Sequence, residues 1–272
     1  MKTLLLILLA ALPAFSQVSV QINTNGTTRI LTNGTISIPT ETPAASVYWE
    51  TTEEWIGPTA VGELGWTLGA TGTGSISPAQ VTSIATADSN RWGLINLVAG
   101  TTATGYSVAH LGQSSVKFSG GEKGFEVSVK TPAIVAATSD YYVRVGFHDA
   151  ITQAVVTDGV YFEWHADSAS QGWRGCAANN SNGTTNKSYT SASSAIAATT
   201  WYKLKAVINS TGTSVVFYLN DVALGSPLTT NIPTASGRQC GPNILIGSYG
   251  TAAAKTLVAD FFFLKNTSSP GR

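Results

Sequence analysis

The stretch DGVYFEWHAD, residues 158–167, concentrates the reactive side chains of this chain. Glu163, His165 and Asp167 recur at every second position, and Val160, Phe162 and Trp164 occupy the positions between. Side chains on a β-strand alternate between its two faces, so the ionisable groups share one side and the apolar groups the other. The preceding stretch YYVRVGFH alternates in the same way, with Tyr141, Val143, Val145 and Phe147 against Tyr142, Arg144 and His148. An antiparallel register that sets Val145 opposite Phe162 puts Arg144 beside Glu163 and Tyr142 beside His165. A slip of one residue would drive Arg144 into the core. One polar sheet face carrying Tyr142, Arg144, Tyr161, Glu163, His165 and Asp167 is therefore expected.

Three kinds of chemistry suit such a face. The first is a solvated sheet with a cross-strand Arg144–Glu163 ion pair, worth roughly 0.2–1 kcal/mol. The second is a glycan platform, in which aromatic rings stack on sugar C–H faces while Arg and carboxylate groups hydrogen-bond hydroxyls. Tyr142, Arg144, Tyr161, Glu163 and His165 would form it, extended by Trp173 and Arg174; Trp173 fits a core position equally well. The third is catalysis by Glu163, His165, Asp167 and Arg144. A neighbouring Arg144 holds Glu163 ionised, which is the wrong direction for a general acid.

These residues need a scaffold, and the rest of the chain reads as all-β. Short alternating segments recur between Gly, Asn, Ser and Thr clusters, without a helical period. Strands are expected near 123–130, 140–148, 159–166, 201–208, 214–220 and 256–264, with NSTG (209–212) turning 201–220 into a hairpin. Asp260 alternates with Val258 and Phe262 and is expected to meet a cation inside or beside its sheet. Asn-Gly-Thr occurs at 25–27 and 33–35, so residues 17–45 read as a short β attachment segment and linker. Residues 46–267 then form the sandwich, and 268–272 a loose tail. Residues 1–16 have a basic start at Lys2, an apolar run from Leu4 to Leu12, and small residues before Gln17, as in a secretory signal. That run is too short to span a bilayer.

Composition narrows the function further. Fifteen basic and 15 acidic side chains give a net charge of zero in 272 residues, which offers no long-range attraction to nucleic acid. Charged residues make up only 11% of the chain, as suits an extracellular or virion-surface β protein. Two cysteines, Cys176 and Cys240, are expected to pair in an oxidising compartment. Asp149, Asp158 and Asp167, near loop ends, are candidate calcium ligands, with turn capping as the alternative. No other cofactor is indicated.

The segment WYKLKAVINSTGTSVVFYLNDVAL (201–224) resembles the strand–turn–strand of laminin-G-like and concanavalin-A-like jelly rolls. There a Trp opens one strand, and a later strand carries an aromatic before an Asn- or Asp-bearing turn. Trp201, Phe217, Asn220 and Asp221 fill these places. GELGWTLGATGTGS, YYVRVGFHD, DGVYFEWHAD and VADFFFL are similar to sandwich domains of phage structural and tail-associated proteins. The resemblance, over about residues 60 to 265, implies an antiparallel two-sheet jelly-roll β-sandwich. Glu163-Trp-His165-Ala-Asp167 also resembles the Glu-x-Asp-x-Glu strand of laminarinase-like glycosidases, with His in the middle and Asp at the end. Arg144, His165 and Tyr142 are residue types used by alginate-lyase-like jelly rolls.

The combined expectation is a non-catalytic sandwich, secreted or on a virion surface, that binds cell-surface or extracellular polysaccharide. Self-association would run through the N-terminal segment, without nucleic acid and without a membrane span. The alternatives are a polysaccharide hydrolase or lyase and a structural fibre or shell subunit.

Overall fold

The computed structural model describes residues 20–24, 27–31, 47–56, 59–79, 91, 93–132, 141–165, 172–193, 195–249 and 254–268. The signal-like residues 1–16 and the linker 39–46 lie outside this set. The chain divides into a compact unit of Val47–Ser268 and a second unit of Met1–Ser46 with Ser269–Arg272. In the second unit, β1 (Val20–Thr24) and β2 (Thr27–Leu31) pair antiparallel, with Thr24 opposite Thr27. Asn25 and Gly26, where the sequence predicts a tight turn, lie outside the described residues.

The larger unit is built from β3 (Val47–Glu53), β4 (Thr67–Thr71), β5 (Ser75–Ala79), β6 (Leu94–Val98), β7 (Tyr106–His110) and β8 (Lys123–Lys130). These are followed by β9 (Tyr141–His148), β10 (Gly159–His165), β11 (Arg174–Ala178), β12 (Lys187–Tyr189) and β13 (Trp201–Ile208). The last are β14 (Val215–Leu219), β15 (Val222–Ala223), β16 (Gly241–Ser248) and β17 (Thr256–Ser268). One sheet has the order β12-β11-β10-β9-β16-β7-β4, and the other β15-β14-β13-β8-β17-β6-β5, with β3 also paired to β17. All these pairings are antiparallel, and the molecule is an all-β jelly-roll sandwich.

The core lies between the sheets, where the alternate apolar residues meet. Val143, Val145, Phe147, Val160, Phe162 and Trp164 from one sheet join Phe125, Val127, Leu204, Phe217 and Phe262 from the other. Edge-on ring contacts recur here, as between Phe162 and Phe217 at 5.1 Å. Turn chemistry fixes the hairpin of β13 and β14. The Asn209 side-chain oxygen accepts hydrogen bonds from the Thr213 and Ser214 backbones, and Gly212 takes a positive φ. Asp260 finds its cation in Arg91, which also donates to Ser128 and stacks over Trp201.

One expectation is corrected. The cysteines form no disulfide: both are buried and free. Cys240 belongs to the core between the sheets, whereas Cys176 packs with Ala150, Val156 and Tyr161 on the opposite side of its sheet. A sheet therefore separates the two thiols. At the end of β17, Ser268 pairs with Val47.

Candidate functional site

Strands β9 and β10 have the register that their alternation dictates. Phe162 lies opposite Val145, Glu163 opposite Arg144, and His165 opposite Tyr142. Arg144 and Glu163 thus leave the core and point to the outer face of the seven-stranded sheet. That face is covered, and this corrects the expectation of a solvated surface. The connection 149–157 folds back across it. Its Ala150 and Val156 pack on Tyr161, Cys176 and Ala178, and Ala154 accepts a 2.7 Å hydrogen bond from Arg144. Asn243 donates to the Ala150 carbonyl, and Gln153 to the Ser248 carbonyl, which pins the connection to β16.

Under this cover Glu163 becomes the hub of a charged cluster, with only 1% of its surface exposed. Arg144 Nε lies 3.3 Å from one carboxylate oxygen, and Lys187 Nζ 3.2 Å from the same oxygen. Arg174 Nη2 donates to the other oxygen at 2.7 Å, and His165 Nε2 lies 3.1 Å from it. Arg174 comes from β11, paired directly with Glu163, while Lys187 reaches across from β12. Burial alone would raise the carboxyl pKa. The contact from His165 and the charges of Lys187 and Arg144 outweigh burial and hold Glu163 well below the usual carboxylate range. Burial likewise disfavours the Arg144 cation, and Glu163 more than restores it.

This geometry decides what Glu163 does. A retaining glycosidase needs one carboxyl protonated at rest and a second one about 5–5.5 Å away. Glu163 is ionised, shielded from solvent and saturated with cations, so it is an anchor that positions Arg174, Lys187 and His165. Asp167, the second carboxylate of the sequence motif, lies outside the described residues.

The other sequence candidates separate by depth. Tyr142 and Tyr161 lie on the expected face but are fully buried, beyond the reach of a polymer. Trp173 is corrected to a core residue: it packs on Phe162 and Trp164 between the sheets. Asp149 and Asp158 lie together where β9 ends and β10 begins, the Asp149 N–H donating to the Asp158 carbonyl, and their carboxylates cap turns there. Asp149 accepts from the Thr157 backbone, and Asp158 from the Asn180 backbone and from Arg238. Among the described residues no three carboxylate, His or Cys side chains form a metal-binding group.

At the His165 end of β10 the cluster reaches the surface. Tyr249, half exposed, stacks on His165 at 5.6 Å and lies 4.6 Å from the buried Tyr142 ring. Tyr189, 39% exposed, lies under the Arg174 guanidinium at 4.3 Å. The rim thus reads Tyr249, His165, Arg174, Tyr189 above the Glu163 anchor. Lys187, Tyr189 and Tyr249 escaped sequence reasoning. Lys187 and Tyr189 share a face by their spacing of two, but the short, Asn- and Thr-rich surroundings hide the strand. Tyr249 follows β16 directly and carries no local signature.

A search of curated proteins finds no relative of the chain. Among solved structures, a protein of unknown function, SO2946, from Shewanella oneidensis MR-1 superposes with a TM-score of 0.58 at 18% identity, covering 88% of this chain and 98% of that one. A carbohydrate esterase of the Shiga toxin-encoding bacteriophage phi24B gives 0.50 at 13% identity, covering 80% and 97%. The carbohydrate recognition domain of Emp47p gives 0.50 at 9% identity, covering 79% and 95%. At these identities the likeness is one of fold. Residues 90–260, more than half of the chain, match the model of the SO2946-like C-terminal domain, and the chain belongs to that family.

Proposed function

We propose that the protein is a non-catalytic glycan-binding sandwich, exported or carried on a virion surface, which contacts extracellular polysaccharide through the rim at the His165 end of β10. The observation that carries this reading is the pairing of a locked anchor with an exposed aromatic rim. Glu163 is held ionised among its cations, so it is unsuited to be the proton donor of a hydrolase. Tyr249 and Tyr189 present ring surface beside the donors of Arg174 and His165. Ring faces stack on the C–H side of a sugar, and flanking polar groups orient its hydroxyls. The fold shared with a carbohydrate recognition domain and a carbohydrate esterase supports a sugar ligand without choosing between binding and turnover.

The test is a glycan array combined with polysaccharide digestion. Tyr249→Ala and Tyr189→Ala are each expected to weaken binding about two- to tenfold. No reducing ends or unsaturated products are expected from any bound polymer. Turnover by the wild type would replace the binding reading with an enzymatic one. Glu163 is a poor first target, because removing one partner of a buried charge cluster strands the others and destabilises the fold by about 3–5 kcal/mol.

A further inference from the structure

We propose that this rim binds the anionic group of an acidic sugar, a carboxylate or a sulfate ester, with Arg174 as its direct contact. The inference rests on the glycan-contact reading and names the chemistry of the ligand.

Among the described residues, Arg144, Arg174 and Lys187 converge on the single carboxylate of Glu163. Among the described residues, three positive charges stand against one negative, an excess of two with His165 uncounted. The nearest described acids in sequence, Asp149 and Asp158, sit together where β9 ends and β10 begins, at the end of the hairpin away from His165. They are engaged there by Thr157, Asn180 and Arg238, so they do not neutralise the cluster. The Arg144 and Lys187 side chains are only 7% and 6% exposed, so water screens their charge poorly. Charge held out of water without a match is costly. An incoming anion supplies the match.

Arg174 is where such an anion can arrive. Its side chain is 31% exposed, the most open of the three cations. Glu163 takes a hydrogen bond from Nη2, and Tyr189 packs on the guanidinium, so the group is held in one orientation. A guanidinium carries five N–H donors in one plane, a fork that matches carboxylate or sulfate oxygens two at a time. A lysine in the same place offers charge without that fork. Tyr189 on one side and His165 with Tyr249 on the other supply ring surface for the sugar bearing the acid. A neutral sugar stacked there leaves the excess charge as it was.

The experiment titrates the full-length protein by calorimetry with two matched pairs of polymers. Polygalacturonate is compared with its fully methyl-esterified form, and dextran sulfate with dextran. The acidic member of at least one pair is expected to bind, and its uncharged counterpart to bind at least about tenfold more weakly. Binding to polygalacturonate alone assigns a carboxylate, and to dextran sulfate alone a sulfate. Arg174→Ala should weaken acidic binding about tenfold, with Arg174→Lys between it and the wild type. Lys205→Ala, a charge-matched change on the other sheet, should leave it unaltered. Equal binding of charged and uncharged members overturns the inference and leaves the glycan reading standing. Acidic binding that survives Arg174→Ala overturns it as well. So does the absence of acidic binding, and if the array is also silent the glycan reading falls with it.

Discussion

His148 lies fully buried beneath the 149–157 connection, edge-on to Tyr161 at 5.4 Å. Burial first, and then the positive charge of Arg144, push its imidazole down to about 3. In the unfolded chain the group returns to about 6.5. Between these values the unfolded state binds a proton that the folded state refuses. Stability is therefore complete above the unfolded value and falls as the pH drops toward 3, with a slope approaching ~1.4 kcal/mol per pH unit. Glu163 acts in a different window. Its lowered pKa stabilises the fold above the ordinary carboxylate range, and that contribution fades only under more acidic conditions. From about pH 7 to about pH 5, His148 is thus separable from the anchor. Urea unfolding of the wild type and His148→Gln across this range should show the wild type losing stability faster, by up to ~1.4 kcal/mol per unit. Parallel curves would contradict a buried neutral imidazole.

Among the elements, β11 carries two duties on adjacent residues. Arg174 turns outward to Glu163, and Gly175 turns inward beneath Phe217. A Cβ on Gly175 would lie 2.3 Å from the Phe217 ring, closer than packed carbon atoms approach. The missing side chain lets Phe217 reach Phe162 and sets the spacing of the sheets at that point. Gly175→Ala should destabilise the fold by about 1–3 kcal/mol, and Phe217→Leu in the same chain should recover part of the loss. A double mutant no more stable than the sum of the singles would show that the contact is not the cause. This element also marks the limit of what the sequence discloses. Alternation of Val, Phe and Tyr with Arg and Glu sufficed for β8, β9, β10, β13, β14 and β17, and for the pairing of Arg144 with Glu163. It said nothing of ITQAVVTD becoming a cover, because Ala150 and Val156 are buried by where β9 and β10 place their connection. Nor did it disclose that Lys187 reaches Glu163, since β12 and β10 meet only through β11. Trp173 and Arg174 are neighbours with opposite fates, and only the strand phase separates core from rim.

At the scale of the whole molecule, the middle of the seven-stranded sheet, β9, β10 and β16, is buried on both sides, between the core and the 149–157 connection. Such a sheet cannot offer its middle to a polymer, so the proposed glycan contact falls at the ends of its strands, where Tyr189, Arg174, His165 and Tyr249 emerge. The positions of these four depend on β9, β10, β11, β12 and β16, all within Val47–Ser268. That unit also closes on itself. Its first strand, β3, pairs along the last part of β17, from Glu53 opposite Phe262 to Val47 opposite Ser268. Glu53 then reaches inward, buried, and accepts hydrogen bonds from the backbones of Trp55, Glu63 and Leu64, which ties the next turn to the sheet. The two chain ends of the sandwich are therefore locked to each other, and among the described residues its strands pair with one another. A fragment of Val47–Ser268 is expected to unfold in one transition within about 2 °C of the full chain, a shift below ~1 kcal/mol for this size, and to keep its glycan affinity. Removing β3 as well, by starting at residue 54, exposes one side of β17 and should lower the midpoint by several times that margin. If the 47–268 fragment is instead unfolded or loses binding, the preceding residues take part in the fold or in the site, and the contact surface is not confined to the sandwich.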